Sequence, residues 1–310
     1  MARLVLLVVL GVLGLTAIAC SSAKPTPVPI SSPAVHVVTT IYPAVYFTQR
    51  VGGDRIRLTS IVPTGAHAHD FEPRPSDLAA ISKADLVVYV SEFFETWMSR
   101  ALESAGSSVM AVEAAHIEDE HGTTGEKDGH GHGHDQADPH VWLNPHEAIE
   151  MVERIRDALI EVDPEGRDTF EANADSLIAE LESLESRMSQ ALEGCRIKTA
   201  VVSHEAYGHL LEDFGVEQAG LSGLEAEEAA SPATIARIVD LMREQGIRHV
   251  LAEPVVNEKL VAQIAETVGA TVLPLHPLEY LTSAEAAAGS TYFTIMDRNL
   301  ESLQTALDCP

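Results

Sequence analysis

Basic residues are scarce in this chain: 20 Lys plus Arg stand against 47 Asp plus Glu in 310 residues, a formal net charge of −27. Nucleic-acid binding needs a basic face to neutralise phosphates, so that class of partner is excluded. An acidic field favours cations near the surface, although a need for solubility explains the same charge. Beyond the first twenty residues no apolar run is long enough to cross a bilayer. Cysteine is limited to three residues. Two of them, Cys195 and Cys309, lie in the body of the chain, and a non-reducing compartment would allow them to close the C-terminal half with a disulfide. The sequence does not show whether their Cα atoms come close enough.

The third cysteine sets the compartment. Arg3 gives a basic start, Leu4 to Ala19 is an unbroken run of apolar or small residues, and Cys20 follows. Such a run is too short for a comfortable span and ends at small residues, as a secretory signal does. A cysteine directly after it suggests a bacterial lipoprotein signal over residues 1–19, with Cys20 lipidated, although Ala17 stands where a larger aliphatic is commoner. Residues 20–33 are rich in Ser and Pro, the composition of a solvated tether. The expected location is extracytoplasmic, anchored to the outer face of the cytoplasmic membrane.

About 275 residues remain, enough for two domains of ordinary size. His36 to Thr40, Ile56 to Val62, Leu86 to Val90 and Ser108 to Val112 read as strands separated by helical patterns such as Asp77 to Lys83. A second series runs through Ile197 to Ser203, Val216 to Leu221, His249 to Ala252 and Thr271 to Leu275. This alternation predicts parallel-sheet α/β architecture in two halves, residues 34–162 and 195–310. Between them, residues 163–194 read as one linking helix from Asp163-Pro164-Glu165 to a stop at Gly194, roughly 45 Å long. Leu177, Leu181, Leu184, Met188 and Leu192 give it one packed face, as a strut has. From His116 to Asp138 the chain loses apolar periodicity and becomes an acidic, His-rich loop too polar to pack.

Histidine is plentiful, with 14 residues. Neutral imidazole suits Zn²⁺, and folded sites gather three or four ligands from distant parts of a chain. Gly65-Ala66-His67-Ala68-His69-Asp70-Phe71-Glu72-Pro73 lies just beyond a predicted strand, where ligand sites of open α/β sheets gather. Asp138-Pro139-His140 precedes a helix start. His204 follows the first strand of the second half, and His276 the last. In Ser203-His204-Glu205-Ala206-Tyr207-Gly208-His209 the two histidines are five residues apart, about 140° around a helix, so the motif is not that of a zinc protease and His209 is expected to face elsewhere. His36 and His249, inside strands, and His146, early in a helix, are not expected to ligate.

Together these motifs resemble the zinc-specific solute-binding proteins of ABC importers, the ZnuA-like family. The resemblance runs from Thr40-Ile41-Tyr42-Pro43 to Tyr292-Phe293-Thr294-Ile295-Met296-Asp297-Arg298-Asn299-Leu300. It rests on the histidine before Asp70-Phe71-Glu72-Pro73, Arg74-Pro75-Ser76-Asp77-Leu78, the His-rich loop, Asp138-Pro139-His140-Val141-Trp142-Leu143, His204-Glu205-Ala206-Tyr207-Gly208 and Glu253-Pro254. It implies two Rossmann-like lobes joined by a long helix, with the metal in the interlobe cleft. It further implies His69, His140 and His204 as ligands. Manganese-type relatives usually carry glutamate at the third position, so His204 favours zinc. Two departures are present: His276 stands where the family usually has Asp before Pro-Leu, leaving imidazole or water as fourth ligand, and His67 is extra. The loop histidines His116, His121, His130, His132 and His134 are auxiliary candidates for a low-affinity antenna, against the plainer account of a tolerated insertion.

The expected activity is capture of Zn²⁺ and delivery to an ABC transporter permease by a monomeric, non-enzymatic protein. Zinc affinity is expected to fall as pH drops through about 6.5, because ligand imidazoles must be neutral. The rivals are a manganese-type binder, a surface adhesin or metal buffer, and a zinc hydrolase with Glu205 as base.

Overall fold

Short β-branched runs set between amphipathic helices build two sheets whose inner strands are buried on both faces. The computed structural model describes residues 34–66, 71–106, 109–117, 137–224, 230–254 and 258–310. The first lobe contains β1 (Val35–Thr39), α1 (Tyr42–Gly52), β2 (Ile56–Ser60), α2 (Pro75–Ile81), β3 (Leu86–Tyr89), α3 (Met98–Ala105), β4 (Met110–Glu113) and α4 (Pro145–Val162). After α5 (Arg167–Leu192) the second lobe contains β5 (Thr199–Val202), α6 (Gly208–Glu212), β6 (Glu217–Gly220) and α7 (Pro232–Gln245). It continues through β7 (His249–Ala252), α8 (Glu258–Val268), β8 (Thr271–Pro274), α9 (Ser283–Ala288) and α10 (Tyr292–Ala306). No helix among the described residues is long and apolar enough to cross a membrane.

Both sheets are parallel and ordered alike, β2-β1-β3-β4 and β6-β5-β7-β8. Val38 sits opposite Thr59 on one side and Val87 on the other. Every residue of β3 and β5 is buried, as expected of strands covered by helices on both faces. Strand order reverses between β1 and β3 in one lobe and between β5 and β7 in the other. Chains leaving those adjacent strands diverge, and the crevice between them is where such folds receive ligands. The eight expected strands all form, mostly shorter at their carboxyl ends. Residues such as Ile61 and Ser203 bond a neighbouring carbonyl once and then turn away into the loops.

The linking helix differs from its expected form. Asp163 does not cap it, because its carboxylate pairs with Arg55 at 2.6 Å. Pro164–Gly166 makes a 3₁₀ turn, and the α-helix starts at Arg167. Gly166 is needed there: a Cβ would lie 2.5 Å from Arg55 Nε and 2.6 Å from the Phe170 ring. The remaining 26 residues span about 39 Å. Phe170, Ala174, Leu177, Leu181, Leu184, Met188 and Leu192 form its buried stripe, which packs on α1 and α4 of the first lobe and α10 of the second. One cluster of buried apolar side chains therefore runs through both lobes and α5, while a smaller one around Val38, Val87, Ile81 and Met98 packs α2 and α3 on the first sheet. A disulfide joins Cys195, at the entry to the second lobe, to Cys309.

Leu181 is wholly buried on that stripe. Leu181→Ala is expected to lower unfolding free energy by about 2–5 kcal/mol, through lost transfer energy and a cavity. Arg187→Ala, which breaks a half-exposed pair with Asp297, should change it by less than about 1 kcal/mol. Urea unfolding of both variants checks this, and equal midpoints would refute the role given to α5.

Candidate metal centre

The second lobe presents His204 from the crevice between β5 and β7. β5 runs on through Ser203 to His204, and β7 ends beside Glu253. Ser203 Oγ donates to Glu253 Oε1 at 3.1 Å, and the Glu253 carboxylate accepts from His204 Nδ1. The ring is wholly buried. With Nδ1–H committed to a carboxylate, Nε2 is the ring atom turned inward.

The first lobe presents His140 from the approach to α4. Both the backbone N–H and Nδ1–H of His140 donate to Asp138 Oδ1, at 3.0 and 2.7 Å. A 3₁₀ turn over Val141–Leu143 follows, and Asn144 caps α4 by accepting the His146 N–H at 2.9 Å. Trp142 fixes this turn against the other lobe. Its Nε1–H donates to the Pro277 carbonyl at 2.7 Å, and Tyr292 Oη–H donates to the Trp142 carbonyl at 2.7 Å. Phe94 packs edge-on against both His140 and Trp142. The His140 ring is also wholly buried.

A carboxylate completes the set. Glu279 lies in the loop after β8 and is 2 % exposed. Its carbonyl accepts the Tyr42 N–H at 3.1 Å, which ties the loop to the first lobe. Glu279 Oε1 is 3.4 Å from His140 Nε2 and 3.7 Å from His204 Nε2. Ligand atoms of tetrahedral zinc, at about 2.0–2.1 Å from the ion, lie roughly 3.3 Å from one another. Two imidazoles backed by carboxylates and one carboxylate are the donor types that suit a borderline divalent cation.

The electrostatics follow from this crowding. Burial pulls the His204 pKa down, but the carboxylates of Glu253 and Glu279 outweigh it and push it up to about 9. For Asp138, burial raises the pKa, while the hydrogen bond from His140 and the charges of His140 and His209 hold it below the usual carboxylate range. The pocket is thus built for positive charge.

His140 and His204, 64 residues apart, meet here. The structure does not bring His276 into the set. Its Nδ1 accepts the Leu278 N–H at 2.9 Å, its Nε2 faces Glu285 Oε2 at 3.2 Å, and Asn299 clamps its backbone on both sides at 2.8 Å. Burial lowers its pKa even with Glu285 alongside. Both ring nitrogens are spent shaping the His276–Glu279 loop, in which Leu278 takes the left-handed conformation at φ 63°. Glu279 is the residue that sequence reasoning missed. A signal was available, since it is the one acidic residue between Pro274 and Leu281. His116 is exposed. His67, His69, His121, His130, His132, His134 and Cys20 lie outside the described residues. Glu205, the base a hydrolase would use, is turned to β6, where Oε1 accepts the Gly220 N–H at 3.2 Å.

Residues 37–306 match the family model ZnuA, described as zinc-uptake complex component A, periplasmic. The zinc-binding lipoprotein AdcA of Streptococcus pneumoniae is 32% identical over 297 residues, 94% of this chain and 58% of AdcA. This chain therefore spans little more than half of that relative's length. The high-affinity zinc uptake system protein ZnuA of Bacillus subtilis is 31% identical, over 88% of each chain. In three dimensions the chain is similar to the Zn(II)-bound ZnuA-like domain of S. pneumoniae AdcA, with a TM-score of 0.76 at 31% identity, covering 89% of this chain and all of that domain. Two like-ordered parallel sheets, a bridging helix and histidines meeting between the lobes go with that likeness, and the chain belongs to the ZnuA family.

Proposed function

We propose that this protein captures Zn²⁺ between its lobes and delivers it to an ABC transporter permease. The convergence of His140 Nε2 and His204 Nε2 on one Glu279 oxygen carries this reading. Relatives named for zinc binding and zinc uptake support it. His140, His204 and Glu279 hold the ion. His69 supplies a third imidazole by its motif position, and His67 is a neighbour able to assist it. The loop that carries them leaves from Gly65, where an added Cβ would sit 3.9 Å from the Leu281 carbonyl, two residues past Glu279. His276 holds the Glu279 loop and does not touch the ion.

The lipid anchor on Cys20 keeps the protein at the membrane as a monomer, and the His-rich loop concentrates zinc near the cleft. Imidazole in place of glutamate at position 204 favours zinc over manganese. A hydrolase is disfavoured because the Glu205 carboxylate is engaged by β6.

Glu279→Gln and His204→Ala are each expected to remove the single tight zinc equivalent seen by competition with a chelating dye. His276→Ala should keep that equivalent and weaken it about 10–100-fold, the usual effect of losing a residue that orients a ligand. If His276→Ala abolished tight binding while Glu279→Gln left it intact, the ligand assignment would be reversed.

With its pKa near 9, His204 holds a proton at neutral pH in the metal-free protein. Zinc must displace that proton, so apparent affinity is expected to fall about tenfold for each pH unit below about 9. The window thus begins well above the ordinary imidazole value. For folding without metal the sign is opposite: protonated His204 stabilises fully below about 6.5, and this contribution disappears as pH rises through about 9. Calorimetric titrations at pH 7 in buffers of different ionisation enthalpy should show about one proton released per zinc from this residue. Buffer-independent heats would contradict it.

A further inference from the structure

His209 has no part in the interlobe set, yet its surroundings repeat the logic of His140 and His204. It projects from α6 of the second lobe into the seam against α4 of the first. Its Nε2–H donates to the Asp138 carbonyl at 3.0 Å, and its Nδ1 lies 3.0 Å from Glu147 Oε1 in the first turn of α4. Glu212 follows His209 at i+3 on α6, one turn along the same side. One ligand atom from each of Glu147, His209 and Glu212 lies within 4.8 Å of the other two. Glu147 Oε2 is buried and makes no hydrogen bond among the described residues. One ring nitrogen anchored on a backbone carbonyl, with the other turned toward carboxylates, is how proteins orient a metal-binding histidine.

We propose that Glu147, His209 and Glu212 form a second divalent-cation site, which bridges the two lobes at their seam and takes Zn²⁺ through the His209 Nδ1 lone pair. In the absence of the cation a proton occupies that position. Burial opposes it, but Glu147 and Asp138 push the His209 pKa up to about 9. A cation displaces this proton and leaves the Nε2–H bond to Asp138 in place. Glu212 is exposed and only three side chains contribute, so this site is weaker than the interlobe one. It shares a residue with that site: the Asp138 carboxylate orients His140, and the Asp138 carbonyl orients His209. Occupying the seam therefore restrains the segment that presents His140, although the seam's own binding does not depend on the interlobe site.

The test compares Zn²⁺ binding by the full chain with that of Glu212→Gln, whose substitution is at the surface, and of His204→Ala. Equilibrium dialysis counts the zinc, and anomalous diffraction from zinc-soaked crystals locates it. The expected result is anomalous density between Glu147, His209 and Glu212 that Glu212→Gln loses along with one weak equivalent, the tight equivalent persisting. His204→Ala should do the reverse, losing the tight equivalent and keeping the seam density, which separates failure of this site from failure of the interlobe one. Dialysis counts equal to wild type in Glu212→Gln, or no seam density at saturating zinc, would overturn the proposal.

Discussion

Each of the two imidazoles that converge on Glu279 is turned by a carboxylate bound at its Nδ1, Asp138 for His140 and Glu253 for His204, and the architecture around them serves to keep those pairings in place. An imidazole left to itself chooses either tautomer and rotates about χ2. Buried against an anchored acceptor it has one useful orientation. Because the acceptors belong to different lobes, the lobes must pack in a single way for both Nε2 atoms to reach Glu279. The interlobe bonds enforce this: Trp142 to Pro277, Tyr292 to Trp142 and Tyr42 to Glu279.

The two lobes share a topology but use their crevices differently. In the first lobe the strand-order reversal between β1 and β3 holds Glu95, whose oxygens accept Thr40 Oγ1–H at 2.5 Å and the Val90 and Ser91 N–H groups. Burial pushes the Glu95 pKa up to about 7, against these bonds. That carboxylate is consumed in closing its own crevice and in setting Phe94, which packs on His140. In the second lobe the carboxylate at the matching crevice, Glu253 immediately after β7, supports His204. The same kind of crevice thus stabilises one half and orients a candidate ligand in the other.

Continuity of the apolar cluster through α5 makes wide hinge opening costly, because separating the lobes would expose the Leu177-to-Leu192 stripe or its partners on α1, α4 and α10. Small adjustments suit such a frame better. The loop carrying Glu279 is the place where they would matter most. Leu278 takes a backbone conformation costing on the order of 1–3 kcal/mol, held by the His276 ring, the Asn299 clamp and burial of its own side chain.

Local pattern determined a good deal of this protein. Eight β-rich runs, the helical stripe at three- and four-residue spacing, and histidines after strand ends are short-range signals written in consecutive residues. They were enough for the two-lobed parallel fold and for His140 and His204 as candidates. The sequence could not reveal that Asp163 would pair with Arg55, 108 residues away, and so leave the start of α5 to Gly166. Nor could it rank His276 against Glu279, three positions apart in one loop. A left-handed residue between them sends one inward and the other toward Glu285, and only the packed neighbours Asn299 and Tyr42 decide which is which. Spacing along a chain defines which residues share a strand end or a helix face. Which side chain has a lone pair to offer depends on partners brought from far away by folding.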